Sequence, residues 1–87
     1  MKSLRSVVLR VLAHHSGHPI DTIHPWQELE HDLDMTPLEI VLVVLEIEGI
    51  VDADLDVTEL AHVRTVGELM TFFTRETARA RVALHVA

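Results

Sequence analysis

The segment Thr36-Pro37-Leu38-Glu39 constrains the fold of this chain more than any other. Threonine is a favoured helix N-cap, and proline is favoured at the first helical position. A glutamate three residues after the cap completes a capping box, in which the two residues satisfy each other's backbone N–H groups. The segment therefore predicts that a helix begins here and continues into the apolar run 40–45.

The apolar run itself is ambiguous, because β-branched residues by themselves favour a strand. Two observations favour a helix. The capping signal is specific, and the chain offers no second convincing strand with which a lone strand could pair its backbone groups. We predict a helix that ends near Glu48, with Gly49 as its C-cap. Because the run is apolar on every side, some of its side chains would form an exposed partner patch or an acyl pocket unless neighbouring elements cover them. We favour cover of both flanks by neighbouring helices and the long loop.

Three more helices are expected. Apolar residues recur at helical spacing from about Lys2 to His15, with Ser3 as a cap and Gly17 as a stop. The segment 56–61 predicts one or two helical turns. A last helix begins after Thr65, which stands at capping-box spacing from Glu68. Its inner face is predicted to contain five residues: Val66, Leu69, Met70, Phe73 and Thr77.

The long connection 17–35 contains Pro19 and Pro25, which forbid a continuous helix. We expect Trp26 and Leu29 to hold this connection against the core. The 87 residues are enough for one domain. The prediction is an all-α fold: a small four-helix bundle spanning 1–87, with a long loop between helices 1 and 2 and a short third helix.

Charge is strongly segregated along the chain. No lysine or arginine occurs between Asp21 and Val63, whereas twelve of the fourteen acidic residues do. The net charge is −7. An acidic middle argues against nucleic-acid binding, which needs basic side chains against phosphates. It favours a protein partner with a basic surface.

Composition excludes several other classes. Cysteine is absent, so disulfides, thiolate metal sites and thiol nucleophiles are excluded. The longest apolar run has six residues, far fewer than a membrane span requires, and the N-terminal apolar stretch is too short for a signal peptide. The serines lack a local base pattern. We therefore expect a cytoplasmic protein without a membrane partner that is not an enzyme.

The order and spacing of these features resemble the acyl carrier protein family from about Leu4 to Phe73. The likeness rests on Glu30-His-Asp-Leu33 in the long loop, Leu45-Glu-Ile-Glu48 in the second helix and Val63-Arg-Thr-Val66 before the last helix. The resemblance implies a carrier-like fold that is gripped by partner enzymes along its second helix.

The chain departs from the family at the residue that carries the prosthetic group. Carrier proteins attach 4′-phosphopantetheine to a serine at the start of the second helix, usually in Asp-Ser-Leu. Here the segment reads Asp34-Met-Thr-Pro-Leu38, and no serine occurs after Ser16. Thr36 is therefore the one candidate anchor, and its capping role competes with attachment. We expect a divergent member without the conventional arm and without another cofactor.

The resemblance and the charge pattern together predict a docking surface for synthase, transferase or tailoring enzymes of fatty-acid or polyketide biosynthesis. Its predicted residues are Asp32, Asp34, Met35, Glu39, Glu46, Glu48, Asp54 and Asp56.

Two alternatives stay open. One is a structural subunit that dimerises through the apolar flank of the second helix, although we expect a monomer. The other is a metal site at His14, His15 and His18. We favour a polar helix end for these three histidines, and we expect no metal.

Overall fold

A computed structural model describes residues 3–52 and 55–86 of the chain. They form helix α1 (Leu4–Ser16), a 3₁₀ turn (Ile20–Thr22), helix α2 (Pro37–Val51), a 3₁₀ segment (Val57–His62) and helix α3 (Val66–Val86). No strand occurs in these ranges, although Glu28 and Thr65 form an isolated antiparallel bridge. The all-α class is confirmed.

The four-helix count is wrong, because the described residues form three α-helices. The short third helix is a six-residue 3₁₀ segment. Its backbone N–H groups bond three residues back, as at Val63 to Leu60, and Asp56 accepts from Thr58 at its start. Such tight hydrogen bonding is typical of short helical connectors.

Helix α1 begins and ends as predicted. The Ser3 hydroxyl accepts the Ser6 backbone N–H at 3.1 Å. Gly17 adopts the left-handed conformation at φ 76° and donates its N–H to the Ala13 carbonyl. Glycine takes this conformation without a side-chain clash.

Helix α2 is helical as predicted, and its capping box is formed. Its predicted end is wrong, since the helix continues past Gly49 to Val51. Asp52 then adopts the left-handed conformation at φ 53°. Continuation keeps the partly buried Val51 packed on the core, in line with the buried Ile47.

The core forms where α1 packs between α2 and α3. Helix α1 contributes Val7, Val8, Val11 and Leu12, and α2 contributes Ile40, Val43, Val44 and Ile47. On α3, Val66, Leu69 and Phe73 are buried as predicted, whereas Met70 and Thr77 are partly buried. Phe72 and Glu76 complete the inner face.

The long loop is joined to the start of α3 by backbone hydrogen bonds. The carbonyls of Gln27 and Pro25 accept from the N–H groups of Val66 and Gly67, both at 2.9 Å. The Leu29 N–H donates to the Arg64 carbonyl at 2.9 Å. The loop thus satisfies N–H groups that a helix start leaves without a partner.

One of the two predicted loop anchors is correct. Leu29 is fully buried, but Trp26 is 73% exposed and stacks on His24 with ring centroids 4.5 Å apart. The backbone around Pro25 lies against α3, and the next side chain points outward. Ile23, Leu33 and Met35 provide the remaining burial in the loop.

We predict opposite effects for two glycine-to-alanine substitutions. At Gly49, a Cβ would meet no atom within 4 Å, so Gly49→Ala gains helix propensity and raises stability by about 1 kcal/mol. At Gly67, the Cβ would lie 3.1 Å from the Pro25 carbonyl oxygen. Gly67→Ala is expected to lower stability by about 1 kcal/mol, because that oxygen is held by its hydrogen bond.

Urea denaturation of both variants measures this difference. Each variant adds one methyl group to a helix, so the pair controls for propensity. An equal gain in stability at Gly67 would show that the loop does not press on α3.

Candidate functional site

An exposed apolar stripe runs along the outward face of α2. Leu38, Leu42 and Leu45 stand four and three residues apart, so they share one helix face. We call these three residues the outer stripe. Val41 and Ile50 flank it, and the exposed fractions of the five residues range from 39% at Val41 to 67% at Leu38. The expected cover from neighbouring helices and the loop is wrong, because α1 covers the opposite face.

Glutamates border the outer stripe on both sides. At 100° per residue, Glu39 and Glu46 lie along one edge, and Glu48 lies along the other. Helix α2 contains no basic residue. The face therefore offers apolar surface between negative borders, which suits a complementary surface with basic borders.

Thr36 is the N-cap of α2. Its hydroxyl oxygen accepts the Glu39 N–H at 3.2 Å, and the Glu39 carboxylate accepts the Thr36 N–H at 2.9 Å. The backbone bond from Thr36, followed by its side-chain bond, lowers the pKa of Glu39 below its ordinary value. The one candidate anchor is therefore an exposed hydroxyl that already serves as a helix cap.

Glu46 links α2 to α1. Its carboxylate lies 2.9 Å from the His15 ring nitrogen Nε2, and both side chains are partly exposed. This contact fixes one border of the outer stripe to the end of α1. The sequence predicts His15 as part of a polar helix end, with a metal site as the alternative. Its partner, thirty-one residues further along the chain, could not be read from sequence spacing.

Three other predicted docking carboxylates hold the local backbone. Asp32 accepts the Glu28 N–H at 2.7 Å, and Glu48 accepts the Leu55 N–H at 3.1 Å. Asp56 caps the second 3₁₀ segment. A carboxylate has about four acceptor sites, so these bonds leave capacity for a partner.

The remaining predicted docking residues differ in placement. Asp34 is exposed in the left-handed conformation at φ 55°, just before α2. Met35 is 3% exposed and lies in the core, so it does not contribute to the surface. Asp54 lies outside the described residues. The docking role of the other seven residues stays a prediction.

The outer stripe itself was missing from the predicted site. The run 40–45 is apolar on every side, so the sequence does not show which side faces the core. The three-residue and four-residue spacing of Leu38, Leu42 and Leu45 was the available signal.

A concave region lies between the 3₁₀ segment Val57–His62 and α3, with a volume of about 550 Å³. Side chains of both signs line it: Glu59, Glu68 and Glu76 are acidic, and His62 and Arg75 are basic. This mixture favours no single charge, so the region indicates no ligand class.

The geometry of the described part of the chain supports neither a metal site nor a membrane span. No three potential metal ligands converge there, including His14, His15 and His18. None of the described helices combines the length and apolar character needed to cross a membrane.

Comparison with protein-family models found no match to this chain, and a search of curated proteins found none either. The proposed function is therefore based on the arrangement of residues on α2.

We predict that the two capping-box glutamates, Glu39 and Glu68, make the fold less stable as the pH falls. Hydrogen bonds from the Arg64 and Thr65 backbone lower the pKa of Glu68, as those from Thr36 do for Glu39. A depressed folded-state pKa stabilises the fold above the ordinary glutamate pKa of about 4.3. That contribution disappears as the pH falls through the folded-state value.

Urea midpoints measured from about pH 7 to about pH 3 test this dependence. The double variant Glu39→Gln/Glu68→Gln should lose less stability on acidification than the native chain. Glu30→Gln, an exposed loop substitution, is the control and should follow the native curve. Identical curves for all three proteins would contradict the assignment.

Proposed function

We propose that this chain is a divergent acyl-carrier-like module that docks on a basic-surfaced enzyme through α2. The enzyme class is a synthase, transferase or tailoring enzyme of fatty-acid or polyketide type, as the resemblance of the sequence implies. The module acts as an adaptor or regulator and carries no conventional phosphopantetheine arm.

One observation supports the docking surface above all others. The outer stripe exposes three leucines on one face of a helix, and glutamates border it on both sides. An exposed apolar patch with a polar border is a common feature of interaction sites. The negative borders select a partner whose matching groove has basic borders, and they speed its association.

The chemistry at the helix entrance supports the proposal that no arm is attached. Thr36 is a secondary alcohol next to the Pro37 ring, and its oxygen accepts a capping hydrogen bond. Attachment at this oxygen would compete with the cap, which contributes about 1 kcal/mol to helix stability. The fold thus uses this hydroxyl for structure.

A second candidate is a homodimer formed through the outer stripe, because the exposed leucines would be buried there. Charge disfavours it. In a two-fold dimer the same patch meets itself, so Glu39 and Glu46 would approach the acidic borders of the second copy. Sedimentation at several protein concentrations separates the two candidates.

We predict that truncating the outer stripe weakens docking without unfolding the chain. Leu42→Ala should lower affinity for a binding enzyme by about tenfold, as expected for an apolar interface anchor. Ile20→Ala, an exposed apolar substitution on the first 3₁₀ turn, is the matched control. Biolayer interferometry against a panel of condensing enzymes and phosphopantetheinyl transferases provides the measurement.

Charge reversal gives a second matched pair. Glu46→Lys should slow association more than Asp21→Lys, although both change the net charge equally. The difference should shrink as salt is raised, because exposed charges are screened. The docking proposal would be rejected if Leu42→Ala weakened binding no more than Ile20→Ala, and Glu46→Lys slowed association no more than Asp21→Lys. Failure to bind any enzyme of the panel would also reject it. A concentration-independent dimer that Leu42→Ala dissociates would establish the alternative.

We predict that the native chain does not accept a phosphopantetheine arm. Incubation with coenzyme A and a broad-specificity phosphopantetheinyl transferase should leave its intact mass unchanged. Thr36→Ser keeps a good N-cap while offering a primary hydroxyl, so its loading would show that the transferase recognises the surface. A mass increase in the native chain that is lost in Thr36→Ala would show that the arm is present.

A further inference from the structure

A small apolar cavity, partly open to solvent, lies away from α2, between α1, the long loop and the start of α3. Its volume is about 190 Å³, and no residue of α2 contributes to it. Five apolar residues line it: Leu9, Ile23, Pro25, Val66 and Met70. A water molecule occupies about 30 Å³ of the liquid, so this space equals roughly six waters.

The polar groups at this cavity are few. Arg5 and Thr71 contribute to its lining. The Thr71 hydroxyl donates to the Gly67 carbonyl at 3.1 Å, which leaves its oxygen available as an acceptor only. Arg5 makes no ion pair with any described residue. Arg5, which is exposed, is therefore the one charged residue that lines the cavity, and it has no partner within the described structure.

The positive charge of Arg5 lies at an unfavourable position in helix α1. It lies in the first turn of α1, which contains no acidic residue. A positive charge near a helix N-terminus is disfavoured by the helix dipole. An anion bound beside Arg5 would remove this unfavourable interaction.

We propose that this cavity binds a small monocarboxylate with a short apolar body. The apolar body occupies the space between Leu9, Ile23 and Met70, and the carboxylate pairs with the Arg5 guanidinium. A pocket with apolar walls and few polar groups is the usual form of a small-ligand site. Guanidinium groups pair with carboxylates through two parallel hydrogen bonds. This site is independent of the docking function proposed for α2.

Hexanoate is the probe, with ¹⁵N-labelled protein and backbone amide shifts as the readout. The native chain should bind it with a Kd of about 1 mM, with shifts centred on the cavity residues. Butanoate should bind about tenfold more weakly, because two methylenes are lost from the apolar contact. Hexylamine has the same apolar body and the opposite charge, so it should cause no comparable shifts.

Three variants complete the test. Arg5→Gln should weaken hexanoate binding by about fivefold, as expected for an exposed ion pair. Arg10→Gln makes the same charge change elsewhere on α1 and should bind like the native chain. Leu9→Phe, which fills the cavity, should abolish the shifts.

Two results would overturn the proposal. Equal binding of butanoate and hexanoate would indicate a general anion effect at the surface. Equal binding of hexylamine, or no shift at the cavity residues with any probe, would show that Arg5 and the cavity do not form a site.

Discussion

The fold depends on the backbone hydrogen bonds that join the long loop to the start of α3. Carbonyl groups at Pro25 and Gln27 accept the first N–H groups of α3, and Leu29 returns a bond to Arg64. These bonds satisfy polar groups that would otherwise be costly to bury beside the core. They also place Leu29 in the core and orient the chain that leads into α2.

The docking proposal depends on these hydrogen bonds because they help to orient α2. Once α1 covers Val43, Val44 and Ile47, the leucines on the opposite side have no cover. A small domain has too little surface to bury every face of an apolar helix. The glutamates around the outer stripe also make structural contacts, because Glu39 and Glu48 accept backbone N–H groups and Glu46 contacts the His15 ring. Under the docking proposal, Glu39, Glu46 and Glu48 would add a recognition role to the structural contacts that they make.

Local signals predicted the elements well, and non-local contacts limited the prediction of the site. The capping boxes at Thr36 and Thr65 operate over three residues, so their spacing is visible in the sequence. The burial of Met35 and the exposure of Trp26 depend on how the loop meets α3, and hydropathy alone gave the wrong side for Trp26. The continuation of α2 past Gly49 was missed for a related reason, because contact of Val51 with the core outweighed a local stop signal.

The sequence by itself determined the helical class, the starts of α1, α2 and α3, and the segregation of negative charge. Each follows from residue type and short-range spacing. The tertiary structure decided which side of the apolar run faces solvent, which carboxylates hold the backbone, and where a cavity remains beside Arg5. These features arise from contacts between residues far apart in the chain, such as His15 with Glu46, whose pairing depends on how the helices pack.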